Sequence, residues 1–326
     1  MHRPAFEAFF NQTDCILGEG ALIERLRRNS PFELDPFIVN SGYIYEEPKR
    51  KAIEAIYRQY LDVGARHDLP LVLSTPTWRA SRQRIADAGF AEKDVNGDNF
   101  RFLDDLRRSY GDYSRKVFIC GLLSCKGDAY DRRQALETDE AYAFHAWQAG
   151  KLAEAGVDFL MASTLPALEE AIGLANAMAD TGKPYVVSFV ARPEGTLLDN
   201  TPLKDAVAAI DSACAPKPFA FMVNCTHASN FRSALLHEVN ASPLVRKRMA
   251  GLLANTSALT PEELDNADSL VEEAPEDFGR DMAALHADLG TKILGGCCGT
   301  DERHIGELAA RLANGRKGDT QWNQGD

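Results

Sequence analysis

Three cysteines carry the strongest chemical signal in this 326-residue chain. Cys297 and Cys298 are adjacent and enclosed by glycine in Gly295-Gly296-Cys297-Cys298-Gly299, and Cys225 stands in Asn224-Cys225-Thr226-His227, about 70 residues earlier. Three thiolates suit a soft divalent ion such as zinc and leave one of its four positions open. A substrate thiol entering that position is held deprotonated near neutral pH. It is then a nucleophile, and alkyl transfer to sulfur is the chemistry that follows. Two other readings stay open on the residues alone. Cysteine is also a small core hydrophobe, and an adjacent pair can close a strained vicinal disulfide. The flanking glycines favour the metal, because they let the backbone turn sharply enough for neighbouring side chains to face one ion.

The other candidates are weaker. His227, two residues past Cys225, is a possible ligand or base, but three thiols already suffice and a loop histidine bonded to backbone fits its place better. Cys120 reads as core, Cys125 lies near a strand end, and Cys15 and Cys214 have no chemical context.

These side chains need elements that bring them together. Short apolar runs at 14–17, 71–74, 117–123, 159–162, 185–190, 219–224, 249–254 and 292–294 alternate with helical patterns at 47–67, 138–155, 166–180, 202–213, 230–238, 275–289 and 301–312. The runs lack polar alternation, as expected of parallel strands buried on both faces. Pro166 opens one helical pattern, and Gly156 and Gly182 close two. Eight strands with interleaved helices predict a single (β/α)8 TIM barrel over residues 1–326. A doubly wound open sheet is the alternative, but no GxGxxG follows the first strand. In the barrel, Cys225 ends the sixth strand and the Cys297-Cys298 pair ends the eighth, so all three face the mouth where catalytic groups gather. Segments 90–113 and 256–273 read as long connections, the first with some helix, and 314–326 as a frayed tail.

Composition narrows the partners. The net charge of −12 disfavours nucleic acid and anionic membrane surfaces. No apolar run approaches the roughly 20 residues of a membrane span. The opening MHRPAFEAFFNQTD has no long apolar segment of the secretory kind. Seven scattered cysteines then predict reduced thiols in a cytoplasmic protein rather than a disulfide frame. No heptad or apolar stripe fixes an oligomeric state.

The chain resembles the homocysteine S-methyltransferase family of zinc-dependent barrel enzymes. Val223-Asn224-Cys225 and Gly295-Gly296-Cys297-Cys298-Gly299-Thr300, followed by His304-Ile305, match the two cysteine motifs of that family. Val157-Asp158-Phe159-Leu160, Leu168-Glu169-Glu170-Ala171, Val187-Ser188-Phe189, Gly195-Thr196 and Thr201-Pro202-Leu203 add weaker similarity, from about Asp14 to Leu312. The resemblance implies Zn2+ on Cys225, Cys297 and Cys298. It also implies methyl transfer from an activated donor, such as S-methylmethionine, betaine or a methylated folate, to a zinc-bound thiol, typically homocysteine, giving methionine. With no folate or cobalamin domain in view, a small soluble donor is expected. Trp78, Tyr43, Tyr45 and Trp147 are aromatic candidates for a cationic donor, although each fits packing better.

The amino acid end of the expected pocket departs from the family. Its Asp-Gly-Gly after the first strand reads Leu17-Gly18-Glu19-Gly20 here, with the acid displaced by one position. Its Glu-Thr after the fourth strand, whose Glu grips the substrate ammonium, reads Ser163-Thr164. Its Thr-Asn-Thr becomes Thr75-Pro76-Thr77, and its Gly-Ser-Xaa-Gly-Pro becomes Gly121-Leu122-Leu123-Ser124-Cys125. A lost charge-assisted hydrogen bond removes about 1.5–3 kcal/mol. Either Glu19, beside Gly20, replaces the missing acid, or the acceptor thiol carries no ammonium there. Ser163, Thr164 and Asn255, at the end of the seventh strand, complete the candidate substrate contacts. The alternative function is a zinc- and thiol-binding barrel that acts on another thiol or transfers no methyl group. A hydrolase ranks last, because zinc-bound water is usually held by histidine and carboxylate ligands.

Overall fold

The computed structural model describes residues 5–259 and 273–321, with side chains described to Gly315 in the last helix. Eight strands close into a barrel in sequence order: β1 (Ile16–Gly18), β2 (Leu71–Ser74), β3 (Val117–Ser124), β4 (Phe159–Leu165), β5 (Tyr185–Phe189), β6 (Ala220–His227), β7 (Met249–Asn255) and β8 (Ile293–Gly296). All pairings are parallel, and β1 meets β8 with Ile16 beside Ile293 and Leu17 beside Leu294. That closure is the expected TIM barrel and excludes the open doubly wound sheet.

The strands are apolar throughout because they are covered twice, by helices outside and by packed side chains inside. β2, β4, β5 and β8 are buried at every position. The short helix Phe6–Gln12 plugs the N-terminal end. Its Phe6 stacks on Phe159 with centroids 4.1 Å apart and meets Phe118 edge-on at 4.9 Å, beside Ile16, Val72, Met222 and Ile293. The C-terminal end is left as the mouth.

Helices Glu47–His67, Thr138–Ala155 and Pro275–Leu289 have the expected bounds. Each ends where the next residue turns left-handed: Asp68 at φ 52°, Gly156 at 100° and Gly290 at 69°. Segment 90–113 contains the helix expected within it, Val95–Arg108, of 14 residues. Asp94 caps it by accepting from the Gly97 amide at 3.3 Å, and Phe100, Leu103 and Leu106 are buried. Its charge density hid that stripe, because part of the charge faces inward. Arg107 is buried and pairs with Asp158 at 2.7 Å, whose carboxylate also accepts from the Ile119 amide at 2.7 Å.

Residues 260–272 of the expected connection 256–273 lie outside the described residues. The last helix, Glu302–Gln321, runs into the segment expected to fray, and residues 322–326 lie outside the described residues. No helix among the described residues is long and apolar enough to cross a membrane.

Candidate metal centre

The three sulfurs of Cys225, Cys297 and Cys298 lie within 4.8 Å of one another at the barrel mouth. Those of Cys225 and Cys297 approach to 2.9 Å although 72 positions separate them in the chain. All seven cysteines are free thiols, so no vicinal disulfide links Cys297 to Cys298. Four bonds of about 2.3 Å around a tetrahedral zinc ion would set sulfurs roughly 3.8 Å apart, within this envelope. The donor set therefore fits zinc, with Cys225 and Cys297, now 2.9 Å apart, moving apart to bind it. A second grouping, Asp14, Cys15 and His286, lies where β1 begins, at the opposite end of the barrel.

Local backbone geometry explains the convergence. β6 shifts register against β7 between Asn224 and Thr226, a bulge of the kind that re-aims a side chain. The intervening Cys225 has φ 55°, a conformation that costs a non-glycine residue about 1–3 kcal/mol. At the other wall, Gly295 packs against the backbone of β1: a Cβ there would stand 2.7 Å from Gly18 Cα. Gly299 turns left-handed at φ 84°. The Cys pair is then pinned from several sides. The Cys297 amide donates to Ala254 O at 2.7 Å, the Cys298 amide to Asn255 Oδ1 at 3.1 Å, and Thr300 Oγ1 to Cys297 O at 2.7 Å.

The Cys225 sulfur has close polar neighbours. Asn224 Nδ2 donates to it at 3.3 Å, and the Cys297 sulfur lies 2.9 Å away. The neighbouring thiols of Cys297 and Cys298 hold Cys225 well below the ordinary thiol range. The same contacts push Cys297 well above it and Cys298 up to about 12.

The family model for homocysteine S-methyltransferase matches residues 16–312. The chain belongs to the homocysteine S-methyltransferase family. Among its curated relatives, homocysteine S-methyltransferase YbgG of Bacillus subtilis is 24% identical over 313 residues, covering 90% of this chain and 93% of that one. Homocysteine S-methyltransferase of Escherichia coli is 25% identical over 325 residues, covering 93% and 97%. The crystal structure of the homocysteine methyltransferase MmuM from Escherichia coli, in its metallated form, superimposes with a TM-score of 0.74 at 22% identity, covering 94% of this chain and all of that one.

At the family's amino acid end, the structure separates the sequence candidates. Glu19 is half-buried, with its carboxyl oxygen Oε2 buried inside the barrel. One oxygen accepts from the Ser74 amide at 3.1 Å, while Oε2 has no partner among the described residues. Burial pushes this carboxyl up to about 8 against the pull of its Ser74 bonds. Gly20 lies against Tyr60, whose hydroxyl would stand 2.7 Å from a Cβ there. Ser163 is buried and donates to Leu123 O at 3.3 Å. Thr164 sits at φ 59° and its amide donates to Asn224 Oδ1 at 2.8 Å. Asn255 holds the Cys298 backbone, as above. Ser163 and Thr164 thus follow β4 into the same mouth, where Asn224 links them to the thiols.

The remaining candidates resolve into structural roles. His227 Nδ1 caps helix Ala228–Leu236 by accepting from the Ser229 amide at 3.2 Å, and its Nε2 meets Glu273 at 3.2 Å. The Trp78 face is covered by the Arg79 guanidinium at 4.3 Å. Tyr45 stacks on Phe90 and donates to Asp98 at 2.6 Å. Trp147 packs on the Ile38, Ala80, Ile85 and Val95 cluster.

The aromatic residue that does reach the thiols is Tyr130, which sequence reasoning missed. It lies in residues 126–136, the segment after β3, close enough to the thiols to be affected by the Cys225 charge. The Cys225 charge, and after it burial, push the Tyr130 phenol well above its ordinary value, although the residue as a whole is 41% exposed. One buried carboxylate anchors both ends of this segment. Glu170 accepts from the Lys126 amide at 2.7 Å and the Leu136 amide at 3.3 Å, and meets His145 Nε2 at 3.1 Å. The available sequence signal was position alone, since segments that follow barrel strands face the mouth.

Proposed function

We propose that the protein is a zinc-dependent S-methyltransferase that moves a methyl group from a small activated donor, of the S-methylmethionine or betaine class, to the sulfur of homocysteine, giving methionine. The observation that carries this reading is the convergence of Cys225, Cys297 and Cys298 at the mouth of a barrel of this family. Cys225, Cys297 and Cys298 would hold the ion. Zinc in a three-thiolate site lowers the pKa of an incoming thiol, so that the acceptor is a nucleophile at neutral pH.

The chain's own residues supply position. Asn255 and Thr300 fix the backbone of the Cys pair, and Asn224 ties Cys225 to the end of β4. Glu19 Oε2, buried and unpartnered, is the group assigned to the acceptor ammonium, in place of the acid that Ser163 lacks. An ammonium beside it would draw the carboxyl into its ionised form. In the transfer, a bond forms between the acceptor sulfur and the methyl carbon. The bond from that carbon to the donor sulfur or nitrogen breaks, and the electron pair leaves with the donor. The acceptor's thiol proton passes to solvent.

The test is zinc content on protein purified under reducing conditions, followed by methyl transfer to homocysteine from S-methylmethionine and from betaine. One zinc per chain with methionine formed is the expected result. Cys298→Ala is expected to lose both zinc and turnover, and full activity in that variant would overturn the mechanism. Zinc retention without turnover would favour a different acceptor thiol, the reading that the Ser163 departure supports.

A further inference from the structure

A second cleft lies beside the mouth, between the segments that follow β2 and β3. Its volume is about 760 Å³, within the roughly 300–1,000 Å³ of small-molecule sites. Arg79, Arg84 and Lys126 line it. In a chain of net charge −12, three cations against the two carboxylates of Asp87 and Asp128 in one cleft are a local reversal of sign.

None of the three is ion-paired among the described residues. Arg79 Nη1 donates to the carbonyls of Cys125 at 3.0 Å, Lys126 at 3.0 Å and Gly127 at 2.5 Å. Arg84 donates to the carbonyls of Phe37 at 3.1 Å and Lys126 at 3.2 Å. These are neutral acceptors. They orient each guanidinium without cancelling its charge, and each fork keeps further N–H donors. Two carboxylates also line the cleft: Asp87 accepts from Gln83 Nε2 at 2.7 Å and acts on Arg84 through its charge, and Asp128 accepts from the Tyr130 amide at 2.9 Å, which leaves three cations against two anions. Burial and the neighbouring Arg79 disfavour the charge on Arg84, a cost that an anion in the cleft would relieve.

A second observation points to a ligand. Ser81 lines the cleft and is 4% exposed, yet its hydroxyl oxygen is buried with no hydrogen-bond partner among the described residues. Buried hydroxyls are seldom left unpaired, because each costs about 1–3 kcal/mol. Phe37 and Phe144 supply apolar wall, and Phe37 is 40% exposed.

We propose that this cleft binds a small oxyanion, a phosphate- or dicarboxylate-bearing molecule with a flat apolar body. Arg79, Arg84 and Lys126 bind its charge, Ser81 donates to an oxygen, and the phenylalanines cover its body. The site is separate from the thiols but shares a segment with them. Gly127, Asp128 and Gln134 line the cleft, while Tyr130 of the same segment reaches Cys225.

The probes are inorganic phosphate and phthalate, titrated into the full chain at constant ionic strength and followed by calorimetry and by the emission of Trp78, which lies beneath Arg79. Saturable binding of either is expected. Arg84→Ala and Lys126→Ala should each weaken it by at least about 10-fold, the loss of one charge-assisted hydrogen bond, while leaving zinc content unchanged. Ser81→Ala should weaken it less. Tighter binding of phthalate than phosphate identifies the aromatic walls as part of the site, and the reverse order identifies a compact phosphate site. No saturable binding of either probe overturns the proposal, as does equal binding by the unaltered chain and by both cation variants.

Discussion

Asn224 and Thr164 are joined twice across the mouth. The Thr164 amide donates to Asn224 Oδ1 at 2.8 Å, and Asn224 Nδ2 donates to Thr164 Oγ1 at 2.9 Å. Both ends of this link are distorted. Thr164 is left-handed at a register shift of β4 against β5, and Cys225, next to Asn224, is left-handed at the register shift of β6. Asn224 also accepts from Ser188 Oγ at 2.7 Å. One amide side chain therefore connects three strand ends and donates to a sulfur.

Asn224→Ala is expected to destabilise the fold by about 1–3 kcal/mol, because the buried Thr164 amide loses its acceptor. The same change should weaken zinc retention, since the bulge that presents Cys225 loses its tie. Urea denaturation with and without zinc measures both. Unchanged stability together with unchanged zinc affinity would remove Asn224 from the site's support.

Glu19 predicts a pH dependence with a defined sign. Its folded value of about 8 lies above the ordinary 4.5, so the folded state keeps a proton that the unfolded chain releases. Stability contributed through this group is therefore lost as pH rises from 4.5 toward 8 and stays lost above it. Its polar neighbours Tyr57 and Cys120 are pushed upward by burial and keep their protons through that window. Glu19→Gln carries no such charge, so its stability advantage over the unaltered chain should widen with pH, by a few kcal/mol at most. Denaturation curves at about pH 5 and about pH 9 decide it, and a constant difference between the two proteins would contradict the assignment.

The barrel and the thiols were legible in the sequence for different reasons. A parallel strand covered on both faces reads as an uninterrupted apolar run, which is why β2 was found to the residue at both ends. β4 and β6 extend three residues past their apolar runs, to Leu165 and His227. Their ends carry Ser163, Thr164 and Asn224, polar residues that a bulge turns toward a mouth rather than a core. The cysteines were legible because glycine flanks and strand-end position both point to one chemistry. Tyr130, Glu170 and the Arg107–Asp158 pair were not, because each depends on a partner distant in the chain and leaves no periodic signature.

Tyr130→Phe probes one neighbour of Cys225. The phenol stands near that sulfur; if it donates a hydrogen bond there, removing it should raise the Cys225 titration in zinc-free protein by up to about 1 pH unit. Thiolate absorbance against pH, with Cys225→Ser to identify the signal, provides the measurement. A titration that does not move would mean that the tyrosine stands near the thiols without bonding them.

Glu170 tests whether the Tyr130 segment is held as a unit. Its buried carboxylate is a shared acceptor for amides at both ends of residues 126–136, and helix Leu168–Ala179 carries it. Glu170→Ala should leave those amides and His145 without their partner, at about 1–3 kcal/mol for each buried group left unpaired. The loss falls on one segment rather than on the strands, so hydrogen exchange is the sensitive readout. Protection should drop across 126–136 while β2 and β5 keep theirs. Glu170→Gln retains one acceptor oxygen and should lose less. If the Ala variant shows unaltered protection in 126–136, Arg79 alone, through its bonds to the carbonyls of Cys125, Lys126 and Gly127, suffices to hold the segment that places Tyr130 over the thiols.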